Sequence, residues 1–342
     1  MELICEWGQP RSLAHAMQEV TATRALQNAS PEWRVSAKWQ CVVPERIATA
    51  AAPRYWAKEL GGGETQRETF AGRQLDVAEW GELLAVCRDR GVNSVVSPFD
   101  VNAVEMLSVA GVGALKVASG EITHRELLAE VGKYARNGMP VILSTGGATI
   151  SEVKRAVLEL GALPTLLACD LVYPCSLTNV SLATQLPELR KTGLGSRYGY
   201  SDHTAPPDSN ATATAAGTLG ATVLEKHVRL EEPHMPVPDD QFALSIADVP
   251  AYLAAATLGT VVRAAPVGDP QRAARVGARR SAYAAYDLPA GWVLAGGEIT
   301  WLRPAEPGSL GPCAPWLGGT LRCAVAEGEP ILPNYLDPWA AS

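Results

Sequence analysis

The chain has 342 residues, 47% of them hydrophobic and 19% charged, enough apolar material for a packed core and enough length for two domains. A formal charge of −7 argues against a general nucleic-acid binder, though lysines gathered in one cleft can still create a local anion site. The start MELICEWGQPRS is no signal peptide, the apolar run 252–262 is too short to span a bilayer, and seven scattered cysteines without a CxxC fit free thiols in a reducing, cytoplasmic setting.

In chain order, short β-branched runs alternate with longer helical patterns. Strands are predicted over 3–7, 34–40, 94–97, 114–119, 140–145, 165–169, 197–202 and 222–228. Helices are predicted over 14–26, 77–90, 103–109, 125–136, 151–160, 181–191, 210–219 and 247–262. Glycines at 91, 111, 138, 161, 193 and 220 punctuate the helix ends, as C-terminal caps do. Eight strand–helix units in about 260 residues match the count and size of an α/β (β/α)8 TIM barrel. A doubly wound open sheet is the alternative, but it would want a glycine-rich phosphate loop, and neither G-x-G-x-x-G nor a Walker sequence occurs.

The barrel is therefore expected over 1–264 and a linker without periodicity over 265–278. A small turn-rich domain with short extended pieces at 281–285, 300–303 and 319–324 is expected over 279–342. A domain of that size buries little core alone and should pack on something.

In such a barrel, function gathers at the C-terminal ends of the strands, and here all eight ends are polar. Lys38 and Lys116 stand inside otherwise apolar strands, where an ammonium is costly unless it meets an anion. With hydroxyls from Ser97, Ser119 and Ser144 they form a candidate cradle for phosphate and carboxylate oxygens. His203 and His227, two of only five histidines, end adjacent strands and suit an open divalent-metal site. Glu6 and Glu121 could act as acid or base beside that metal, or could pair with the lysines. His15 and His124 read as helix-surface residues, and His234 stays unassigned.

These runs resemble the motifs of the sialic acid synthase family: Ser97-Pro98-Phe99-Asp100, Lys116 to Glu121, Pro140 to Gly146, Gly199 to Thr204 and Leu224-Glu225-Lys226-His227. The segment Arg279-Arg280-Ser281, with Leu288 to Gly291 and Trp301 to Pro304, is similar to the antifreeze-like (SAF) domain that follows the barrel in that family. The resemblance implies metal-dependent condensation of phosphoenolpyruvate with N-acetylmannosamine or a related hexosamine, giving a nonulosonic 2-keto acid and phosphate. It implies a divalent ion, Mn(II) with Mg or Co as alternatives, on His203 and His227, and no organic cofactor. Lys38, Ser97, Lys116, Ser119, Ser144 and Ser201 would hold phosphoenolpyruvate. Gln40, Tyr173, Asp239 and Arg303 would face the sugar, and Glu6, Glu121 and Asp239 would handle protons. It also implies a homodimer in which the small domain, with Arg303, is exchanged into the partner's barrel.

The sequence departs from the family pattern on the sugar side. Gly8 to Ser12 replaces an Asn-His-x-Gly loop, Ala168 replaces a His, Leu171 replaces an Asn or Ser, and Val237 replaces a Gly before Pro238-Asp239. The segment after Arg303-Pro304 runs Ala305-Glu306-Pro307-Gly308 in place of a Gly-rich turn. The expectation is a retained reaction class on an altered acceptor aldehyde. Two alternatives differ in kind: a Schiff-base aldolase using Lys116 or Lys226, and a non-catalytic barrel that binds sugar or phosphate without turnover.

Overall fold

A computed structural model describes all residues except 55, 57–61, 72–73, 232–236, 259–271, 315, 317 and 338–342. Eight strands close the barrel: β1 (Glu2–Glu6), β2 (Arg34–Cys41), β3 (Asn93–Pro98), β4 (Ala114–Val117), β5 (Val141–Ser144), β6 (Thr165–Cys169), β7 (Arg197–Asp202) and β8 (Val223–Arg229). Each pairs in parallel with the next, and β8 returns to β1, with Ile4 opposite Glu225 and Glu6 opposite His227. A two-residue strand, β9 (Leu244–Ser245), extends β8 beyond the ring.

Strand alternation decides what fills the barrel. One set of side chains, including Leu3, Val35, Trp39, Leu115 and Leu143, packs outward against the helices. The other set points inward, and at mid-height Ile4, Val95, Ala114, Ile142, Leu167 and Val223 form an apolar plug. Gly199 completes that layer: a Cβ there would sit 2.0 Å from the Val223 carbonyl oxygen and 2.8 Å from Leu167. Two residues further along the same strands, on the same face, come Glu6, Ser97, Lys116, Ser144, Cys169, Ser201 and Glu225. The plug thus closes the barrel beneath a polar rim, and the pleat alone brings those seven side chains together.

The outer helices are Leu13–Ala29, Val77–Asp89, Val101–Val109, Arg125–Arg136, Ile150–Leu160, Leu182–Lys191, Pro206–Thr218 and Val249–Leu258. Reciprocal side-chain caps start two of them, Asp76 with Glu79 and Thr149 with Glu152, and satisfy amide groups that the first helical turn leaves unpaired. No described helix is long and apolar enough to cross a membrane, and all seven cysteines are free.

The stretch expected as an aperiodic linker contains a helix, Arg272–Ala278. Its apolar face packs Ala274 and Ala278 against Leu171 and Tyr173 at the barrel mouth. Tertiary burial, which leaves no trace in local periodicity over so short a segment, holds it. The following domain pairs β10 (Ser281–Ala284) antiparallel with β11 (Ile299–Leu302). Residues Leu288, Leu294, Leu310, Leu321, Val325 and Ile331 form part of a small core of its own. The third expected strand, over 319–324, appears only as isolated bridges from Thr320 to Val293 and from Leu321 to Leu336.

The small domain docks on the barrel mouth through arginines. Arg280 is buried; it donates to Glu121 at 2.6 Å, to the carbonyls of Arg46 at 2.7 Å and Trp301 at 2.6 Å, and to that of Phe99. Arg279 reaches Glu152 at 2.8 Å and the Gly147 carbonyl at 2.9 Å. The backbone of Arg303 bonds on both sides to the segment after β2, accepting from Thr49 and donating to Ile47.

Candidate active site

The rim, the loops above it and the docked domain enclose one cavity. It is lined by Glu6, Gln40, Lys38, Ser97, Lys116, Ser119, Ser201, His203, Glu225, His227, Tyr173, Asp239 and Arg303, among others. The structure therefore brings together nearly all of the expected site residues. Ser144 ends β5 on the inward face and is buried beside them.

At the bottom, charge is organised around Glu225. Its Oε1 accepts from Lys116 Nζ at 2.8 Å and from Ser201 Oγ at 2.9 Å, and lies 4.0 Å from Lys38 Nζ. Lys38 in turn contacts Glu6, whose Oε1 accepts the Gly8 amide at 2.7 Å. Burial opposes ionisation of Glu225, but Lys116 and Lys38 outweigh it and hold the carboxyl below the usual carboxylate range. Burial pushes the Lys38 ammonium down to about 7, with Lys116 adding to the shift and Glu225 resisting it. In the same layer the hydroxyls of Ser97 and Ser144 are buried without a hydrogen-bond partner, as is Glu225 Oε2. Buried hydroxyls are rarely left unpaired, so two at one rim mark a place for ligand oxygens. Ser119 Oγ accepts the Gly146 amide at 3.0 Å.

The sequence reading gives Glu225, on the eighth strand, no role of its own. The signal lay in its spacing: two residues before His227 on one strand, it must share the inward face.

The imidazoles of His203 and His227 lie edge to face, their centroids 5.4 Å apart. His203 Nδ1 meets the Asp170 carbonyl at 2.8 Å. A carbonyl only accepts, so Nδ1 carries the proton and Nε2 keeps its lone pair. Burial, with His227 next to it, pushes His203 down to about 3, which keeps it neutral at physiological pH. Tyr173 packs on His203 at 4.4 Å and Phe242 on His227 at 4.8 Å. Asp239 Oδ2 stands 3.2 Å from His227 Nδ1. Among the described residues no three or more His, Cys, Asp or Glu side chains cluster as a closed metal site. A neutral imidazole with a fixed tautomer beside a second imidazole backed by a carboxylate does fit a divalent ion whose other positions stay open.

Three residues lie elsewhere than the sequence suggested. Glu121 is fully buried and does not line the cavity. Its Oε2 takes Arg280 at 2.6 Å and His124 Nδ1 at 3.0 Å, and its Oε1 takes Arg303 at 2.9 Å. Burial favours the neutral acid, but Arg280, His124 and Arg303 prevail and hold the carboxyl well below its usual range. His124, expected on a helix surface, is buried in that cluster. Lys226 faces the helix layer, not the cavity, because it alternates with Glu225 and His227; its Nζ donates to the Thr204 carbonyl at 2.5 Å. Arg303 lines the cavity, as expected of it, its guanidinium 5.2 Å over Phe99. His15 is half-buried and pairs with Glu19 at 3.3 Å; His234 lies outside the described residues.

Two further features escaped the sequence reading. Arg280 is the main pin between the domains. The wall formed by Val42, Ile47, Trp56 and Phe70 comes from the connection between β2 and the helix Val77–Asp89. The length of that connection, on the functional side of a barrel, was the available clue. Close approach of the domains also requires Gly120, where a Cβ would lie 2.3 Å from the Ala278 carbonyl oxygen and 2.9 Å from Arg303 Nη2.

Comparison with known proteins bears out the resemblance. An N,N'-diacetyllegionaminic acid synthase of Campylobacter jejuni is 29% identical over 263 residues, 74% of this chain and 75% of that protein. A pseudaminic acid synthase of Helicobacter pylori is 29% identical over 236 residues, 66% of each. Among solved structures, the spore coat polysaccharide biosynthesis protein SpsE of Bacillus subtilis has the same fold, with a TM-score of 0.75 at 21% identity over 98% of this chain and 95% of that one. Residues 34–257 match the NeuB family model and residues 279–337 the SAF domain. The chain belongs to the NeuB family, and its barrel is followed by a SAF domain.

Proposed function

We propose that this protein condenses phosphoenolpyruvate with a sugar aldehyde, N-acetylmannosamine or a related hexosamine, to a nonulosonic 2-keto acid and phosphate. The observation that carries this reading is the convergence of Lys38 and Lys116 on Glu225 in the layer that holds the unpartnered hydroxyls of Ser97 and Ser144, with two imidazoles at the same rim. Relatives named as synthases of legionaminic and pseudaminic acid support it.

In this reading Lys38 and Lys116 face the phosphate and carboxylate of phosphoenolpyruvate, Ser97, Ser119 and Ser144 supply short-range donors, and Ser201, which donates to Glu225, would have to turn its hydroxyl to join them. The lysines counter the charge that builds on the departing phosphate. The alkene carbon forms the new bond to the aldehyde carbon, whose oxygen takes up a proton and becomes a hydroxyl; water adds at the carbon bearing phosphate and loses a proton; the bond from that carbon to the phosphate oxygen then breaks, the added hydroxyl gives up its remaining proton, and a 2-keto group and phosphate result. Glu6 lines the cavity beside Lys38 and takes the proton from the adding water at its carboxylate. This displaces Glu121, which does not line the cavity and binds the arginines of the small domain. Asp239 stands 3.2 Å from His227 Nδ1, and Gln40, Tyr173, Asp239 and Arg303 hold the sugar. A divalent ion, Mn(II) or in its place Mg or Co, held by His203 and His227 would supply Lewis-acid polarisation of the aldehyde oxygen when bound.

Phosphate release from phosphoenolpyruvate with a panel of aldoses, with and without a chelator, tests the reaction. Aldehyde-dependent release that stops on chelation and returns with Mn(II) is expected. Release that needs no aldehyde, or none with any aldose, overturns it.

The reading extends to a homodimer in which the small domain docks on the partner's barrel. The connecting residues 259–271 lie outside the described ones. Mixing Arg303→Ala and Lys116→Met chains tests this exchange. Activity restored by mixing is expected if each barrel receives the other chain's arginine; no restoration, with heterodimers present, rejects it.

A further inference from the structure

We infer that Asp202 and Lys226 are positioning residues: a buried ion pair behind the two imidazoles that fixes their separation, and through it the affinity of the rim for a divalent ion. The inference rests on the metal reading proposed above and deepens it. The two are register partners on β7 and β8, and each immediately precedes one of the histidines. Both are fully buried, and neither lines the cavity. Carboxylate and ammonium stand 3.8 Å apart. Replacing such a buried pair by apolar side chains is often neutral or even stabilising, so stability alone does not account for it. What the pair does here is hold backbone.

Its bonds fall on both sides of His203. Lys226 Nζ donates to the Thr204 carbonyl at 2.5 Å and to that of Asp202 at 3.4 Å. Asp202 Oδ1 accepts the Thr204 amide at 2.9 Å and the Thr204 hydroxyl at 2.7 Å. Asp202 Oδ2 accepts from the hydroxyls of Thr212 at 2.8 Å and Tyr252 at 3.2 Å, on the outer helices Pro206–Thr218 and Val249–Leu258. The His203 carbonyl accepts the Cys175 amide at 2.9 Å. Both peptide groups flanking His203 are therefore engaged, and the Asp170 carbonyl then sets its ring. The ammonium that grips this turn sits one residue from His227. A slip of β8 against β7 would change the 5.4 Å between the imidazole centroids only by breaking these bonds. A network satisfied at so many points holds one arrangement, as a preformed two-histidine site requires.

The test titrates Mn(II) into the full, metal-free chain with no substrate present and follows the free ion by electron paramagnetic resonance, well below each variant's unfolding temperature. Lys226→Met and Asp202→Asn should each weaken Mn(II) binding by about tenfold or more, the scale for groups that orient metal ligands from behind. Asp202→Asn keeps the side chain's shape and an oxygen for the Thr204 amide, so it carries the test should Lys226→Met not fold. Glu2→Gln is the comparison. It breaks an ion pair at the opposite end of the barrel, where buried Glu2 meets Arg197 at 2.5 Å, and it should lower the unfolding temperature yet leave Mn(II) affinity unchanged. If the folded variants at 202 and 226 bind Mn(II) as the wild type does, or if Glu2→Gln weakens it equally, the inference fails while the metal reading stands. If the wild type takes up no Mn(II), the metal reading fails and the inference with it.

Discussion

The two ends of the cavity are built by different means. The phosphate end rests on strands: Glu6, Lys38, Ser97, Lys116, Ser144, Ser201 and Glu225 are placed by the pleat of a closed barrel, one layer above an apolar plug. The acceptor end rests on a long connection, the helix Arg272–Ala278 and a docked domain. Side chains on a rigid sheet are held by many neighbours, whereas loops and docked surfaces can vary without unfolding the barrel. Of the departures from the family pattern, those at Gly8 to Ser12, Leu171 and Val237 fall in loops around the cavity mouth, while Ala168 stands on β6 in the packed core.

The contrast is most exposed to Lys116→Met. It leaves Glu225 buried beside one distant ammonium and should lower kcat/KM for phosphoenolpyruvate by about 10³-fold, the scale for removing one preorganised electrostatic contact. Steady-state kinetics would show this, and a loss under tenfold would mean the strand-borne end is not the phosphate site.

Glu121→Gln sharpens the other side. Its carboxylate ties Arg280 and Arg303 of the small domain to the barrel, so the substitution should destabilise the docked state by about 3 kcal/mol, as when a buried ion pair loses one partner. Thermal unfolding and proteolysis between the domains would register it. Unchanged stability with a collapse in kcat would return Glu121 to a chemical role.

A smaller effect concerns pH. Lys38, burdened by desolvation, gives up its proton near 7 in the free protein. Its folded value lies below its ordinary one, so the ammonium needed by an anionic ligand is present below about 7 and lost above it. Binding then takes up a proton, and affinity for phosphoenolpyruvate should fall by up to about tenfold per unit as pH rises above that point. Calorimetric titrations in buffers of different ionisation enthalpy would report the uptake; none would contradict the charge arrangement.

The smallest expected change is Ser144→Ala. Its hydroxyl has no partner in the protein, so stability should hold within about 1 kcal/mol while KM for phosphoenolpyruvate rises severalfold. Equal losses in both would make the serine structural.

Legibility in the sequence followed the same division. Alternation along the strands was enough to anticipate the barrel and to bring Lys38, Lys116, His203 and His227 to one rim, because a period of two fixes which face a residue occupies. Glu225 was within reach of that reasoning. Glu121 was not: standing just after β4, it could have faced the cavity or the interface, and only docking of Arg280 and Arg303 decides. The helix Arg272–Ala278 and the wall at Ile47 and Phe70 owe their form to contacts distant in sequence, which local patterns do not encode.

The most direct test of the central claim is calorimetric titration of phosphoenolpyruvate into the wild-type protein and into the Lys38→Met and Lys116→Met variants. Binding by the wild type, weakened by about 10²-fold or more in each folded variant, is the result predicted. Equal affinity in all three would contradict it, since the two ammonium groups would then have no part in holding the phosphorylated enol.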